Sequence, residues 1–519
     1  MSSDETPESL LRDYLDLVEM LGGRSPSLSE LVTNGISRSK IRHRFGTRAA
    51  LDELARSSRP DLFVDTPISM APVAEAKART FIITCPVVGA RTHLGFCKAL
   101  RALADRRGAE LIALPVADPA SRATPNGEGR IDNALLELGF KVVQGDVEVN
   151  ENLVILGIQI SAKQLQPTTG LLRFGQRGQS LIIPAPKRFL KFVATNGKLP
   201  HAVMTPGACT VANYITDQHR SKRTAYLAEQ DHLLAAIIVE VEDDKRFHFR
   251  QLTWSEEYGN VVDMGEDHNG DPFPFLAVQP GDWHSGVTHP YNRRFVMGNT
   301  LQAKHIFVHD SFDGQSVNNH ATRFEQLSDP KPLLHELISW GEDLLAMADV
   351  YERVYVVHSN HDDRIRRWLQ SMQHASDPVN FRVGRQLESY LLEGQNPLRQ
   401  WFLDRHKDKG AALDRIFFLG PNASHRIGGV EMACHGHLGS NGSRRPSLRS
   451  FEESIGPCCI GHSHTPGIWR EVWQAGTSTY LRLDYTKGPS SWFWSHIGVY
   501  EDGRRQMINI LPEEDQCQG

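Results

Sequence analysis

The stretch VQPGDWHSG, residues 278–286, decides how the second half of this chain is read. Its apolar lead-in, Phe275, Leu276, Ala277 and Val278, has the length and character of a buried parallel strand. Open α/β sheets bind ligands beyond the carboxyl ends of such strands, where the connecting loops converge. Asp282 and His284 stand just past that predicted tip. A single Asp-x-His is common in surface loops, so the weight of this one comes from repetition downstream.

Four further apolar runs end in oxygen or imidazole donors. AKHIFVHDSFDG puts Asp310 after a predicted strand at 305–308, with Asp313 three residues on. A helical pattern at 332–348 leads to ERVYVVHSNHDD, whose predicted strand at 354–357 delivers Asn360, His361 and Asp362. VEMACHGHLG carries His435 and His437, and CCIGHSHTPG carries His462 and His464. Carboxylate, amide and imidazole donors at five strand ends are the ligand set of a two-metal centre. Without thiolates among them, the set suits two divalent cations of the manganese, iron or zinc type better than magnesium or calcium. Mn2+ is expected first, with Fe2+, Zn2+ and Mg2+ as the other options.

In their order and spacing these motifs resemble the calcineurin-like metallophosphoesterase superfamily over residues 275–510. The resemblance implies a β-sandwich flanked by helices. It implies that Asp282, His284 and His464 hold one metal, that Asp310 bridges, and that Asn360, His435 and His462 hold the other. His361 falls where the family keeps its catalytic histidine, with Asp362 or Asp363 as a residue that can orient it. Two positions depart from the family, which has glycine where this chain has His309 and Ser359. His309 is therefore expected to reach substrate, as are His320 behind the bridging Asp310 and Arg364 after the third cluster. His437 is expected beside the ligands rather than among them, and in reach of substrate. The wider layout, from GDWHSG through GHSHTPG to GTSTYLRLDYTKGPSSW, is similar to phage-encoded metallophosphoesterases that degrade host DNA early in infection.

The upstream half is less explicit. At 519 residues the chain exceeds what one core usually supports. We expect a helical segment at 1–60, a proline-punctuated linker at 61–76, an α/β or α+β accessory domain at 77–270 and the catalytic domain at 271–519. Residues 9–21 have amphipathic helical spacing. In SPSLSELVTNGISRSKIRHRFGT, Ser27 can cap a short helix to Val32, Asn34-Gly35 supplies a turn, and Ser37 caps a helix bearing Arg38, Lys40, Arg42, His43 and Arg44. That is helix-turn-helix grammar; a three-helix bundle used for oligomer contacts has the same pattern. Residues 80–84, 93–107 and 110–116 predict strand, helix, strand. Arg173, Arg177, Lys187, Arg188 and Lys191 alternate with apolar residues, as a surface that tracks a nucleic-acid strand or as a half-buried hairpin.

A net charge of −5 excludes a globally basic nucleic-acid binder, so any such surface is local. Seven scattered cysteines with no C-x-x-C pair point to a reducing compartment and against structural zinc. With no signal-like start and no apolar run of about 18 residues, membrane insertion is not expected. The combined expectation is a cytoplasmic enzyme, in the host cytoplasm if phage-encoded, and plausibly a homo-oligomer. Its reaction would be metal-dependent hydrolysis of DNA phosphodiesters by a metal-activated hydroxide, assisted by His361. A phosphomonoesterase or small-molecule phosphodiesterase is the rival reading, and a non-catalytic scaffold the third.

Overall fold

The computed structural model describes residues 6–20, 26, 31, 34–45, 48–61, 79–116, 131–143, 145–158, 160–175, 178–196, 199–214, 223–318, 331–444, 446–483 and 486–511. It divides into two compact units, Met1–Pro72 and Val73–Gly519.

In the first unit, α1 (Pro7–Met20) buries Leu10, Tyr14, Leu17 and Val18, whose spacing keeps them on one face. They share a core with Leu31, Ile36, Ile41, Leu51 and Ala55. The last three belong to α2 (Arg38–Phe45) and α3 (Arg48–Ser58). The helix expected over 27–32 falls mostly outside the described residues, although Leu31 is helical. The expected linker at 61–76 lies outside them beyond Asp61.

The second unit contains three large mixed sheets among the described residues. In the first, Arg79–Thr84 and Ala109–Ala113 pair in parallel around the helix Leu94–Arg107, the expected strand-helix-strand opening. The largest sheet draws on both sides of residue 270, because Arg188–Val193 pairs antiparallel with Gly467–Trp469. That pairing explains the basic-apolar alternation. Lys187 is buried against Asp231 at 3.1 Å, and the buried Arg188 lies over the Trp473 ring. These two cations fasten the interior instead of tracking a strand of nucleic acid. Arg177 lies outside the described residues.

The remaining sheet positions the site. Its strands β1 (Phe275–Gln279), β2 (His305–Val308), β3 (Arg353–Val356) and β4 (Ile416–Phe418) run parallel, and the first two match their expected ranges. Alternation along a strand sends successive side chains to opposite faces. Ala277, Phe307 and Tyr355 join a core shared with Cys459, Ile468 and Trp473 of the largest sheet. Val278, Ile306, Val308, Val354 and Val356 pack beneath helices that include α4 (Leu333–Val350) and α5 (Asp362–Gln370). The antiparallel strands Trp494–Tyr500 and Arg505–Ile510 complete the other edge of this sheet. No helix of the described residues is long and apolar enough to cross a membrane.

Candidate metal centre

Parallel strands end together, so the loops after β1, β2 and β3 meet the loops carrying His435, His462 and His464. Among the described residues four groups of donors result: His284 with Asp310 and His464, Asp310 with His435 and His462, Asp282 with His309 and His435, and His284 with Asp313 and His361. Within each group the donor atoms lie within 4.8 Å of one another. Asp310 belongs to the first two. Its Oδ2 stands 3.3 Å from His435 Nε2 and 3.6 Å from His284 Nε2. Asn360 Oδ1 stands 3.1 Å from His435 Nε2 and 3.0 Å from His462 Nδ1. Asp282 Oδ2 lies 3.5 Å from His464 Nε2, which is itself 3.0 Å from His284 Nε2.

Buried carboxylates normally take hydrogen bonds. Here both oxygens of Asp282 and both of Asp310 are buried without one. Burial, with the Asp310 charge adding, pushes the Asp282 carboxyl well above the ordinary carboxylate range. Burial acts the same way at Asp310, but the imidazoles of His435, His361 and His284 prevail and hold it well below. Two adjacent buried carboxylates with no donor are what a cation would neutralise. Burial also pushes His462 down to about 4 and His464 well below its usual range, keeping both rings in the neutral form that binds metal. The residues present therefore fit divalent cations.

The backbone accommodates this at a cost. His284, Asp310, His462 and His464 all adopt positive φ, at 50, 43, 77 and 59°. Non-glycine residues held there cost on the order of 1–3 kcal/mol each and cluster at functional sites.

Several expectations are corrected by the surroundings. The carboxylate beside His361 is Asp313, whose Oδ1 is 3.6 Å from Nδ1 and whose carbonyl accepts the Nδ1 proton at 2.6 Å. Asp362 turns away, because it accepts from the Ser359 backbone and faces His358. His309 does not reach the surface. It is fully buried, and its Nδ1 lies 3.4 Å from His435 Nδ1, where it can accept the proton that fixes the tautomer of His435. The neutral-range pKa that suits a catalytic histidine is absent from His361, which burial pushes down to about 3.

Other residues stand near their expected places. Arg364 donates to the Asp313 carbonyl at 2.8 Å and lies 3.2 Å from His361 Nε2. His437 is half-buried, its ring 5.4 Å from that of His435, and it joins neither donor group that contains Asp310. His320 lies outside the described residues.

Two residues had no assigned role. Asp313 accepts from or faces both His284 Nδ1, at 3.1 Å, and His361; the signal was its position three residues after Asp310. Trp492, read from sequence as structural, places its ring 4.2 Å from that of His464 in an edge-on contact. No local signal pairs those two residues.

Comparison with curated proteins finds a relative in Escherichia phage T5, described as Protein A1. It is 29% identical over 347 residues, which cover 61% of this chain and 60% of the relative. The chain thus spans about 60% of the length of the relative it matches. No protein-family profile matches the chain, and no solved structure does.

Proposed function

We propose that the chain is a two-metal phosphodiesterase acting on DNA. The observation that carries the reading is the sharing of the buried Asp310 by two donor groups at the ends of parallel strands. A phage relative and the motif layout of phage DNA-degrading metallophosphoesterases favour DNA over a small ester. Asp282, His284 and His464 would hold one cation, Asn360, His435 and His462 the other, with Asp310 common to both. When bound, such cations polarise a phosphoryl oxygen and make water nucleophilic near neutral pH.

The protein's own groups do the rest. The His284 ring is held by Asp313 through Nδ1, which leaves Nε2 facing the donor group. His361 gives its Nδ1 proton to the Asp313 carbonyl, so in the neutral ring Nε2 is the basic atom. There it can accept a hydrogen bond from the attacking water and orient it, without carrying the proton, because burial keeps the ring neutral. Arg364, beside the same nitrogen, would contribute a fixed positive charge to the phosphate.

The test is a substrate panel with manganese: linear duplex, circular duplex and single-stranded DNA, a chromogenic phosphodiester and a phosphomonoester. Cleavage of DNA that disappears in Asp310→Asn supports the reading. Turnover of the monoester alone removes it in favour of a phosphatase, and no turnover with metal bound favours a scaffold.

A further inference from the structure

We infer that the turn at 34–37 and α2 form a head that reads duplex DNA, with α2 as the helix that enters the major groove. This deepens the reading of DNA as substrate and rests on it, but its test does not require cleavage.

The geometry is that of a short turn leading into α2. Leu31 is helical, and its carbonyl accepts the Ile36 N–H at 2.8 Å across Gly35, whose φ is +81°. A bond spanning five residues over a left-handed glycine is how a helix is closed. Ser37 Oγ then accepts the Lys40 N–H at 3.3 Å, which caps α2. The donor of that closing bond, Ile36, directly precedes the cap. Lys40 Nζ donates back to the Gly35 carbonyl at 3.1 Å, and the buried Ile36 and Ile41 anchor turn and helix in the core. The turn is thereby set by backbone closure, cap and two apolar anchors.

Charge then selects the partner. Between residues 38 and 48 the sequence has Arg38, Lys40, Arg42, Arg44 and Arg48 and no Asp or Glu. The acids of this unit lie on either side, Glu8, Asp13, Asp16 and Glu19 on α1, Asp52 and Glu53 on α3, and Asp4, Glu5, Glu30, Asp61 and Asp65 outside those two helices. His43 and Arg44 are exposed, whereas a helix used for packing against another protein would present apolar side chains. An α-helix with its side chains is about 10–12 Å across and so fits a major groove about 12 Å wide, and the eight residues of α2 would lie along about 12 Å of it. A single strand offers no such groove.

The experiment uses the full chain, in EDTA so that nothing is cut, and follows fluorescence anisotropy of a labelled duplex across a salt series. The His43→Ala, Arg44→Glu double variant should bind roughly tenfold more weakly near 0.1 M salt, with a salt slope shallower by about one. Its circular dichroism and its manganese-dependent hydrolysis of bis(p-nitrophenyl) phosphate should match the parent. Arg44→Lys should keep most of the affinity. Unchanged duplex binding and slope in the double variant overturn the inference. So does an equal loss on a single strand of the same length, which would make α2 a phosphate contact without a groove. A chain that hydrolyses no phosphodiester, yet loses duplex affinity on this substitution, keeps the reading head and refutes the nuclease.

Discussion

Gly461 and Asp282 touch across 179 positions of sequence: a Cβ at residue 461 would lie 2.1 Å from Asp282 Oδ1. No real Cβ contact is that short, so the carboxylate occupies space that only glycine leaves open. The glycine before His462 is thus part of how Asp282 is aimed at the donor group.

Gly461→Ala should therefore leave the fold intact and displace Asp282. Metal affinity should fall on the order of 10–100-fold, as for residues that orient ligands. Native mass spectrometry or elemental analysis after dialysis measures this directly. Full metal occupancy with normal affinity would contradict the assignment of Asp282 as a ligand.

Asp282 and Asp310 repel one another when no cation lies between them, because both are buried without donors. Chelation should lower unfolding free energy by about 3 kcal/mol relative to protein in manganese at 100 times its dissociation constant. In EDTA, Asp282→Asn should be more stable than the parent by about 1 kcal/mol or more. In manganese the order should reverse. Urea titrations of both proteins under both conditions check the crossover, and an Asn variant that is weaker in EDTA would refute it.

His361 and Arg364 act on the same nitrogen, with the Arg364 guanidinium 3.2 Å from Nε2. His361→Ala should reduce kcat on DNA by roughly 10²–10⁴-fold while metal content stays constant. Arg364→Ala should also lower kcat, and Arg364→Lys should recover only part, because a point charge does not reproduce the fork that spans His361 and the Asp313 carbonyl. Steady-state kinetics with parallel metal analysis separates these effects from loss of the centre.

Glu336 gives a pH signature apart from the proposed ligands. It accepts from the Ser316 N–H and Oγ–H, each at 2.9 Å, and burial, then the Asp313 charge, push it up to about 7. Its folded pKa lies above its ordinary 4.5, so its contribution to stability is complete below pH 4.5 and is lost as pH rises through about 7. The parent should lose about 3 kcal/mol relative to Glu336→Gln over that window. Chemical denaturation at several pH values reads the difference; parallel stability curves for the two proteins would exclude it.

Much of the architecture around the candidate centre could be read from short runs of sequence. β1 and β2 lie where four or five apolar residues precede Asp282 and Asp310, and α4 begins one residue after its predicted start. Such elements are specified by side-chain periodicity and by what terminates them, both local properties. The same holds for the donors, since each cluster lies within a few residues of its strand end. The chain in its own right therefore determined which residues are available to bind metal and in what order they arrive.

Tertiary structure alone decided what each of them faces. Asp313 instead of Asp362 meets His361 because α5 starts by turning Asp362 back onto Ser359 and His358. His309 is buried against His435 because the fold brings together loops whose two histidines are 126 positions apart in sequence. Lys187 and Arg188 went to the interior because Arg188–Val193 pairs with Gly467–Trp469, a contact no local pattern announces. Facing partners are set by sheet pairing over long separations, where burial and electrostatics are shared between distant segments; periodicity fixes which side a residue is on, and the folded chain chooses its neighbour.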